Sequence, residues 1–268
     1  MYDFDYIRPS SIAEAQAILR SDVEPRLLAG GQTLLPTLKH RLAAHSTLID
    51  LQGIDALHGV SIYTDAVALG AMTRHAEVAE APEISSTLPA LAHLAGGIGD
   101  PLVRNMGTIG GSIANNDPAA DYPAAVLALN ATITTDRREI DADDFFDGMF
   151  TTILAPDEII VSISFPIPDR AGYFKLPHPA SGYVTAGAFV ADFGGTVRCA
   201  INGVEPSVFR ATGVEQAFAG GLSPRSIASI DRDPKHFNDD TFASASYRAQ
   251  VLPKVVERAI ANALQPIK

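Results

Sequence analysis

The chain has 268 residues, enough to bury a large core and to form two or three compact units. Its 31 acidic against 20 basic residues give a formal charge of −11, which argues against nucleic acid or an anionic membrane as the main partner. A single cysteine, Cys199, rules out an intrachain disulfide and an iron–sulfur cluster held by this chain alone, since such a cluster takes about four cysteine ligands. The histidines (His40, His45, His58, His75, His93, His178 and His236) show no helix-face zinc spacing, so no metal site is expected. Residues 1–6 have neither a basic region nor an apolar core like those of secretory signals, and no run approaches the ~20 apolar residues of a membrane span. A cytoplasmic protein is expected.

In chain order, Ser11-Ile12-Ala13-Glu14 is a capping-box pattern that opens a helix over 12–19. A short buried strand over 26–29 runs into Gly30-Gly31. The apolar spacing Leu34, Leu35, Leu38 and Leu42 then predicts a helix, and 47–51 a strand. From Gly59 the pattern changes to strands over 60–62 and 66–70, joined by a turn at Thr64-Asp65. Thr73 is expected to cap a helix through Ala79, and Ser85 or Ser86 another through Leu94. The alanine-rich stretch 119–129 predicts a helix with Pro123 in its first turn. Strands are expected over 131–134 and over 159–165, where Ile159, Val161, Ile163 and Phe165 alternate with their neighbours.

Pro166-Ile167-Pro168 is the clearest boundary. Beyond it, strands over 183–192 and 197–204 are joined by the hairpin turn Gly194-Gly195. Helices follow over 212–219 and 244–263, the second with a kink expected at Pro253, and the polar stretch 231–240 reads as a loop. The plan is α+β (mixed α/β): a two-lobed N-terminal region over 1–168, with lobes of about 1–57 and 58–168. A smaller C-terminal domain with antiparallel sheet and helices takes 169–268.

Two glycine loops carry the chemistry. Ala29-Gly30-Gly31-Gln32-Thr33 and Thr108-Ile109-Gly110-Gly111-Ser112 each pair glycines with hydroxyl residues about eighty residues apart. Glycines admit positive φ and leave no Cβ in the way, so backbone N–H groups can converge on a phosphate or diphosphate. Neither loop is a P-loop or a G-x-G-x-x-G fingerprint. Asp117-Pro118-Ala119-Ala120-Asp121 follows the second loop with a carboxylate at each end. No Gly-x-Ser-x-Gly elbow or nucleophile–base triad is evident.

With these motifs the chain resembles, over essentially its whole length, the FAD-binding medium subunit of molybdenum hydroxylases, the carbon monoxide dehydrogenase and xanthine dehydrogenase group. The resemblance implies a PCMH-type FAD-binding domain over 1–168 and a C-terminal domain of the CO dehydrogenase flavoprotein type. It places the flavin between the N-terminal lobes. It assigns Gly30, Gly31, Gln32 and Thr33, flanked by Leu28, Ala29 and Leu34, to the first diphosphate motif. Thr108, Gly110, Gly111 and Ser112 form the second, with Ser112 where many relatives have Asn. Asp121 matches a carboxylate that accepts hydrogen bonds from flavin-side hydroxyls. Asp117 is a weaker match, and a helix N-cap before Pro118 explains it equally well. Ile98 falls where some relatives stack an aromatic on adenine, and Ile160 matches a backbone contact to the flavin. Lys175 matches a lysine near the flavin ring, where a cation favours the reduced flavin, although a surface lysine explains it nearly as well. Tyr183 matches a tyrosine over the ring face or, on the bland reading, a strand aromatic.

No catalytic side chain is expected, because the cofactor does the redox chemistry. The resemblance further implies a small iron–sulfur subunit and a large molybdenum-cofactor subunit as partners, a heterotrimer or dimer of heterotrimers, and electron transfer through FAD to an external acceptor. A self-contained FAD-dependent oxidoreductase and a flavin-free scaffold subunit remain as alternatives.

Overall fold

The computed structural model describes residues 1–224, 227, 230 and 232–265. Among them the chain forms three sheets and three buried apolar clusters.

The first lobe runs β1 (Asp5–Ile7), α1 (Ile12–Ser21), β2 (Pro25–Leu28), α2 (Leu34–Lys39) and β3 (Thr47–Asp50). β1 and β2 both pair in parallel with the central β3, which requires crossover connections, and the helices supply them. Ser11 caps α1 as the pattern predicts, its Oγ accepting from the Glu14 N–H at 3.2 Å. The Glu14 carboxylate reaches the Ser10 N–H instead of the cap's own. α2 ends at Lys39, short of the predicted face, and leaves Leu42 exposed beyond a left-handed Arg41.

The second lobe opens with β4 (Val60–Ile62) and β5 (Ala66–Gly70), the expected hairpin. Short helices follow: α3 (His75–Glu80), α4 (Pro82–Thr87), α5 (Pro89–Gly96), α6 (Pro101–Arg104), α7 (Ile109–Asn115) and α8 (Tyr122–Ala128). The predicted caps differ here. Thr73 donates its hydroxyl to the Gly59 carbonyl, and α3 starts at His75, with the Arg74 N–H on Glu77. Ser85 and Ser86 lie inside α4. Pro82 and Pro89 begin α4 and α5, because proline's fixed φ suits the first helical position. β6 (Thr132–Thr135), β7 (Glu139–Asp141), α9 (Ala142–Phe145) and β8 (Ile160–Pro166) complete an antiparallel sheet of order β4-β5-β8-β6-β7. Ile163 and Phe165 enter the core of this lobe, whereas Ile159 and Val161 pack against the core of the first. One strand thus joins the two.

The remaining sheet is antiparallel: β9 (Arg170–Pro177), β10 (Val184–Phe193), β11 (Thr196–Asn202) and β12 (Phe209–Arg210). Gly194 and Gly195 make the predicted turn with φ of 62° and 94°. β7 and β9 were not legible from periodicity. β9 begins directly after the proline pair, where the sequence reads as linker. α10 (Thr212–Ala217) packs against β11, and the 20-residue α11 (Ala245–Leu264) lies over β9 and β10. It continues through Pro253 without interruption. The polar stretch includes a 3-10 turn at Pro234–His236, and its Asp231 lies outside the described residues.

This sheet is bonded to the segment leading into α8. The Val184 and Gly203 N–H groups donate to the Ala119 and Pro118 carbonyls at 3.1 and 2.8 Å, and Asn202 Nδ2 donates to Ala120 O at 2.6 Å. α8 is buried along its whole length. No described helix is long and apolar enough to cross a membrane.

Candidate cofactor site

A cavity of about 920 Å³ opens where the first lobe, the second lobe and the Tyr183 loop meet. Its wall includes Ala29, Gly30, Gly31, Gln32, Thr33, Leu34, Ile98, Thr108, Gly110, Gly111, Ser112, Asp117, Asp121, Ile160 and Tyr183. Two of the expected residues lie outside it. Leu28 is buried at the end of β2. Lys175 lines a separate cleft of about 380 Å³ with His93, Gly96 and Gly97.

The glycines bring the two loops into contact. A Cβ on Gly30 would collide with the Met106 carbonyl oxygen and sit 2.6 Å from the Gly107 Cα. A Cβ on Gly111 would sit 3.1 Å from the Ala29 Cβ. Only Gly31 among the motif glycines has a left-handed φ, of 70°. Gly110 and Gly111 belong to the helical α7, so close packing rather than positive φ demands glycine there. A Cβ on Gly110 would meet Ala71 at 2.6 Å.

Their backbones differ in what they can offer a ligand. The second loop's N–H groups are already engaged. Ile109 donates to Thr73 O, Gly110 to Ala71 O, Gly111 to Thr108 Oγ1 and Ser112 to Thr108 O, at 2.8–3.2 Å. In the first loop, no described residue accepts a hydrogen bond from the N–H of Gly30, Gly31, Gln32, Thr33 or Leu34. Unpaired donors clustered at a cavity wall are a nest for anionic oxygens. Among the described residues the unengaged amides therefore come from the first loop alone, and the second offers hydroxyls and bare surface.

Asp121 is buried at 3% exposure. Its Oδ1 accepts from Tyr173 Oη at 2.7 Å and Lys175 Nζ at 2.9 Å. Burial pushes its carboxyl up, and Lys175 and Tyr173 pull the other way. Lys175 Nζ also donates to Gly97 O and Gly182 O at 2.8 and 2.9 Å, so all three ammonium donors are engaged within the protein. Asp117 is not a helix N-cap. Its Oδ1 accepts from the Ala119 N–H at 2.9 Å in an Asx turn, and burial raises its carboxyl. Tyr183 stands half-exposed, its phenol raised by partial burial and by Asp117. Its loop is tied back by His178, whose Nδ1 accepts from the Ala180 and Ser181 N–H groups at 3.3 and 3.2 Å.

Sequence reasoning passed over two wall residues. His75 has no metal-ligand spacing to mark it in the sequence, yet it is buried against the cavity. Glu158 carries a closed network beneath it. Arg138 donates to both carboxylate oxygens at 2.9 Å, Thr135 Oγ1 to Oε1 at 2.8 Å and the Ala155 N–H to Oε2 at 2.9 Å. Together they hold the carboxyl down at about 2. Only the pattern Arg-x₁₉-Glu connects Arg138 to Glu158 in sequence, which is no signal.

The row of unpaired amides, the bare glycine backbones and the orphaned polar side chain of His75 fit a large diphosphate-bearing cofactor. Comparison with known proteins agrees. The family described as "FAD binding domain in molybdopterin dehydrogenase" matches residues 2–168, more than half of the chain. The chain is 34% identical to the nicotine 6-hydroxylase medium subunit of Paenarthrobacter nicotinovorans over 96% of each. It is also 34% identical to the carbon monoxide dehydrogenase medium chain of Hydrogenophaga pseudoflava, again over 96% of each. A solved structure of carbon monoxide dehydrogenase from H. pseudoflava superposes with a TM-score of 0.89, covering 98% of both chains at 34% identity. Quinoline 2-oxidoreductase from Pseudomonas putida 86 superposes at 0.86, covering 98% of this chain and 97% of the other at 26% identity. The chain belongs to this family, as an FAD-binding oxidoreductase subunit of the molybdenum hydroxylases.

Proposed function

We propose that this chain relays electrons within a molybdenum-containing hydroxylase or dehydrogenase, from the iron–sulfur clusters of a small partner subunit, through FAD, to an external acceptor. The observation that carries the reading is the cavity itself, where unpaired amides of Gly30, Gly31, Gln32, Thr33 and Leu34 face a second loop of bare glycines. Bound FAD supplies the one- and two-electron chemistry that such a relay needs.

The chain's own residues bind and orient. In this reading the first-loop amides take the diphosphate oxygens, and the Thr108 and Ser112 hydroxyls approach from the other side. Asp121, fixed by Tyr173 and Lys175, accepts from cofactor hydroxyls. Ile98 and Ile160 offer apolar wall, and Tyr183 covers the mouth. Residues 1–168 form the FAD-binding domain and 169–268 the C-terminal domain that carries the Tyr183 loop. Hydroxylation itself belongs to a large subunit with the molybdenum cofactor. Equal identity to medium chains named for nicotine and for carbon monoxide supports a substrate choice made on another chain. The one cysteine, buried in β11, supports iron–sulfur ligands on a partner and a reducing, cytoplasmic setting.

The test is an absorbance spectrum of the chain purified with whatever subunits it retains, with identification of the acid-released cofactor. FAD beside iron–sulfur absorbance supports the relay. FAD on the single chain with turnover of a small donor favours a self-contained oxidoreductase. No flavin, even after reconstitution, leaves a scaffold.

A further inference from the structure

His75 opens α3, and its position is fixed by the backbone around it. Its N–H donates to Gly107 O at 2.9 Å, Arg74 bridges to Thr108, and Ile109 N–H returns to Thr73 O. The imidazole is thereby set against the bare backbone that leads into the second glycine loop. A Cβ on Gly107 would lie 2.5 Å from the imidazole Nε2, and the same Gly107 is the residue that a Cβ on Gly30 would strike. The ring therefore lies beside the point where the two loops meet. It is 5% exposed, with the Tyr122 ring at 5.3 Å.

Neither ring nitrogen has a protein partner among the described residues. Nδ1 is buried and unpaired, and no hydrogen bond involves Nε2. The two nitrogens differ: Nδ1 is fully enclosed, whereas Nε2 is unpaired but not enclosed, on a residue of the cavity wall. A stranded N–H is rarer than a stranded acceptor, so the proton belongs on Nε2 and the lone pair on the enclosed Nδ1. The charged and titratable groups near the ring are Arg104 of α6 and Tyr122 of α8, while Glu77 on its own helix is turned back onto the Arg74 N–H. Arg104 Nη1 donates to the Ile98 and Gly99 carbonyls at 3.0 and 3.3 Å, which holds a positive charge close by.

We propose that His75 is a binding residue for the cofactor's diphosphate, donating from Nε2–H to a phosphate oxygen where the two glycine loops meet. The inference rests on the cavity being the FAD site. Burial and Arg104 keep the free imidazole neutral, with a value near 4, so it enters the interaction as a neutral donor. A phosphate placed beside it offsets Arg104 and favours the imidazolium, which makes the bound ring more basic than the free one.

The test is titration of the deflavinated full chain, with the subunits it retains, by FAD and separately by ADP, a diphosphate without flavin. His75→Ala is expected to weaken FAD and ADP alike by about tenfold or more, the scale of a hydrogen bond to a charged group. His75→Gln, whose amide reaches the Nε2 position, is expected to restore most of the loss. Circular dichroism and thermal melts check that each variant folds. If His75→Ala does not, His75→Gln decides together with the wild-type imidazole ¹⁵N signals, which are expected to shift on adding ADP. Wild-type affinity in His75→Ala overturns the proposal. So does a loss for FAD without one for ADP, or imidazole signals indifferent to ADP. Wild-type protein that binds neither FAD nor ADP overturns the cofactor reading itself, whereas binding that ignores position 75 overturns only this assignment.

Discussion

Lys175 and Asp121 form a buried ion pair at 2.9 Å that joins the third sheet to the start of α8. The side chains are 10% and 2% exposed. With Gly97 O and Gly182 O completing its three donors, the ammonium ties together α5, the Tyr183 loop and Asp121. Lysine at this position resembles a family residue near the flavin ring, but here its charge is matched within the protein, which makes it a positioning residue for Asp121 and Tyr183. Removing one partner of a buried pair strands the other. Lys175→Met is expected to cost about 3–5 kcal/mol, read by urea unfolding, and adding Asp121→Asn to recover much of it. If Lys175 acted chiefly on the flavin, the stability of the flavin-free chain would not move.

The acid response should fall in two windows. His75 has its folded value lowered from 6.5 to about 4, so the unfolded chain binds the extra proton between those values. Stability is complete above about pH 6.5 and declines as pH falls toward 4. Glu158, lowered from 4.5 to about 2 by Arg138, then loses its contribution as pH drops through that lower range. Each contributes at most about 3 kcal/mol. Melting temperatures across pH 7 to 3 should show His75→Gln flattening the first decline and Arg138→Ala the second. An unchanged profile in both variants would mean these groups titrate alike in the folded and unfolded chain.

Local signals were legible where a single segment carries the physics. The Ser11 cap, the Gly194-Gly195 turn and the alternation through Phe165 each follow from neighbours a few residues apart. Both glycine loops were legible as a pair. Their division of labour was not, because it depends on carbonyls of Ala71 and Thr73 that occupy the second loop's amides from another segment. His75 was invisible for the same reason: its isolation from protein partners is set by α6, α8 and Gly107. Thr73 and Leu42 show propensity overridden by tertiary contact and by an early helix end. Lys175, expected near the flavin ring, lies outside the cavity with all three donors engaged inside the protein, partners that its own segment of sequence does not show.

The contact between the loops gives a steric prediction. Gly30→Ala places a methyl against the Met106 carbonyl, a backbone atom with no flexible end to yield, so the loops must separate. Loss of FAD and a destabilisation of about 1–3 kcal/mol are expected, by cofactor release and thermal melting. Gly111→Ala meets only Thr108 Oγ1 at 3.0 Å and the Ala29 Cβ at 3.1 Å, and should fold with weakened FAD. Gly111→Val should lose FAD with the fold retained, through crowding of Ala29. Full flavin content in Gly111→Val would remove the second glycine loop from the site.

The unequal backbones predict unequal side-chain effects. Because the second loop's amides are engaged, a diphosphate held as proposed would find only the Thr108 and Ser112 hydroxyls there, and Thr108 Oγ1 already accepts from the Gly111 N–H at 3.2 Å. Ser112→Ala removes a free hydroxyl at the wall and leaves the helix intact. A loss of about three- to tenfold in FAD affinity is expected, with little change in the melt. Thr108→Val removes both a ligand donor and the α7 cap, so it should lower FAD affinity and also cost about 1 kcal/mol of stability. Thr33→Val, beside five unpaired amides, should be the mildest, since the neighbouring N–H groups remain to hold the anion. Fluorescence titration of the three variants orders them. A Thr33→Val effect larger than that of Ser112→Ala would mean the diphosphate leans on side chains in the first loop and on backbone in the second, the reverse of what the hydrogen bonds require.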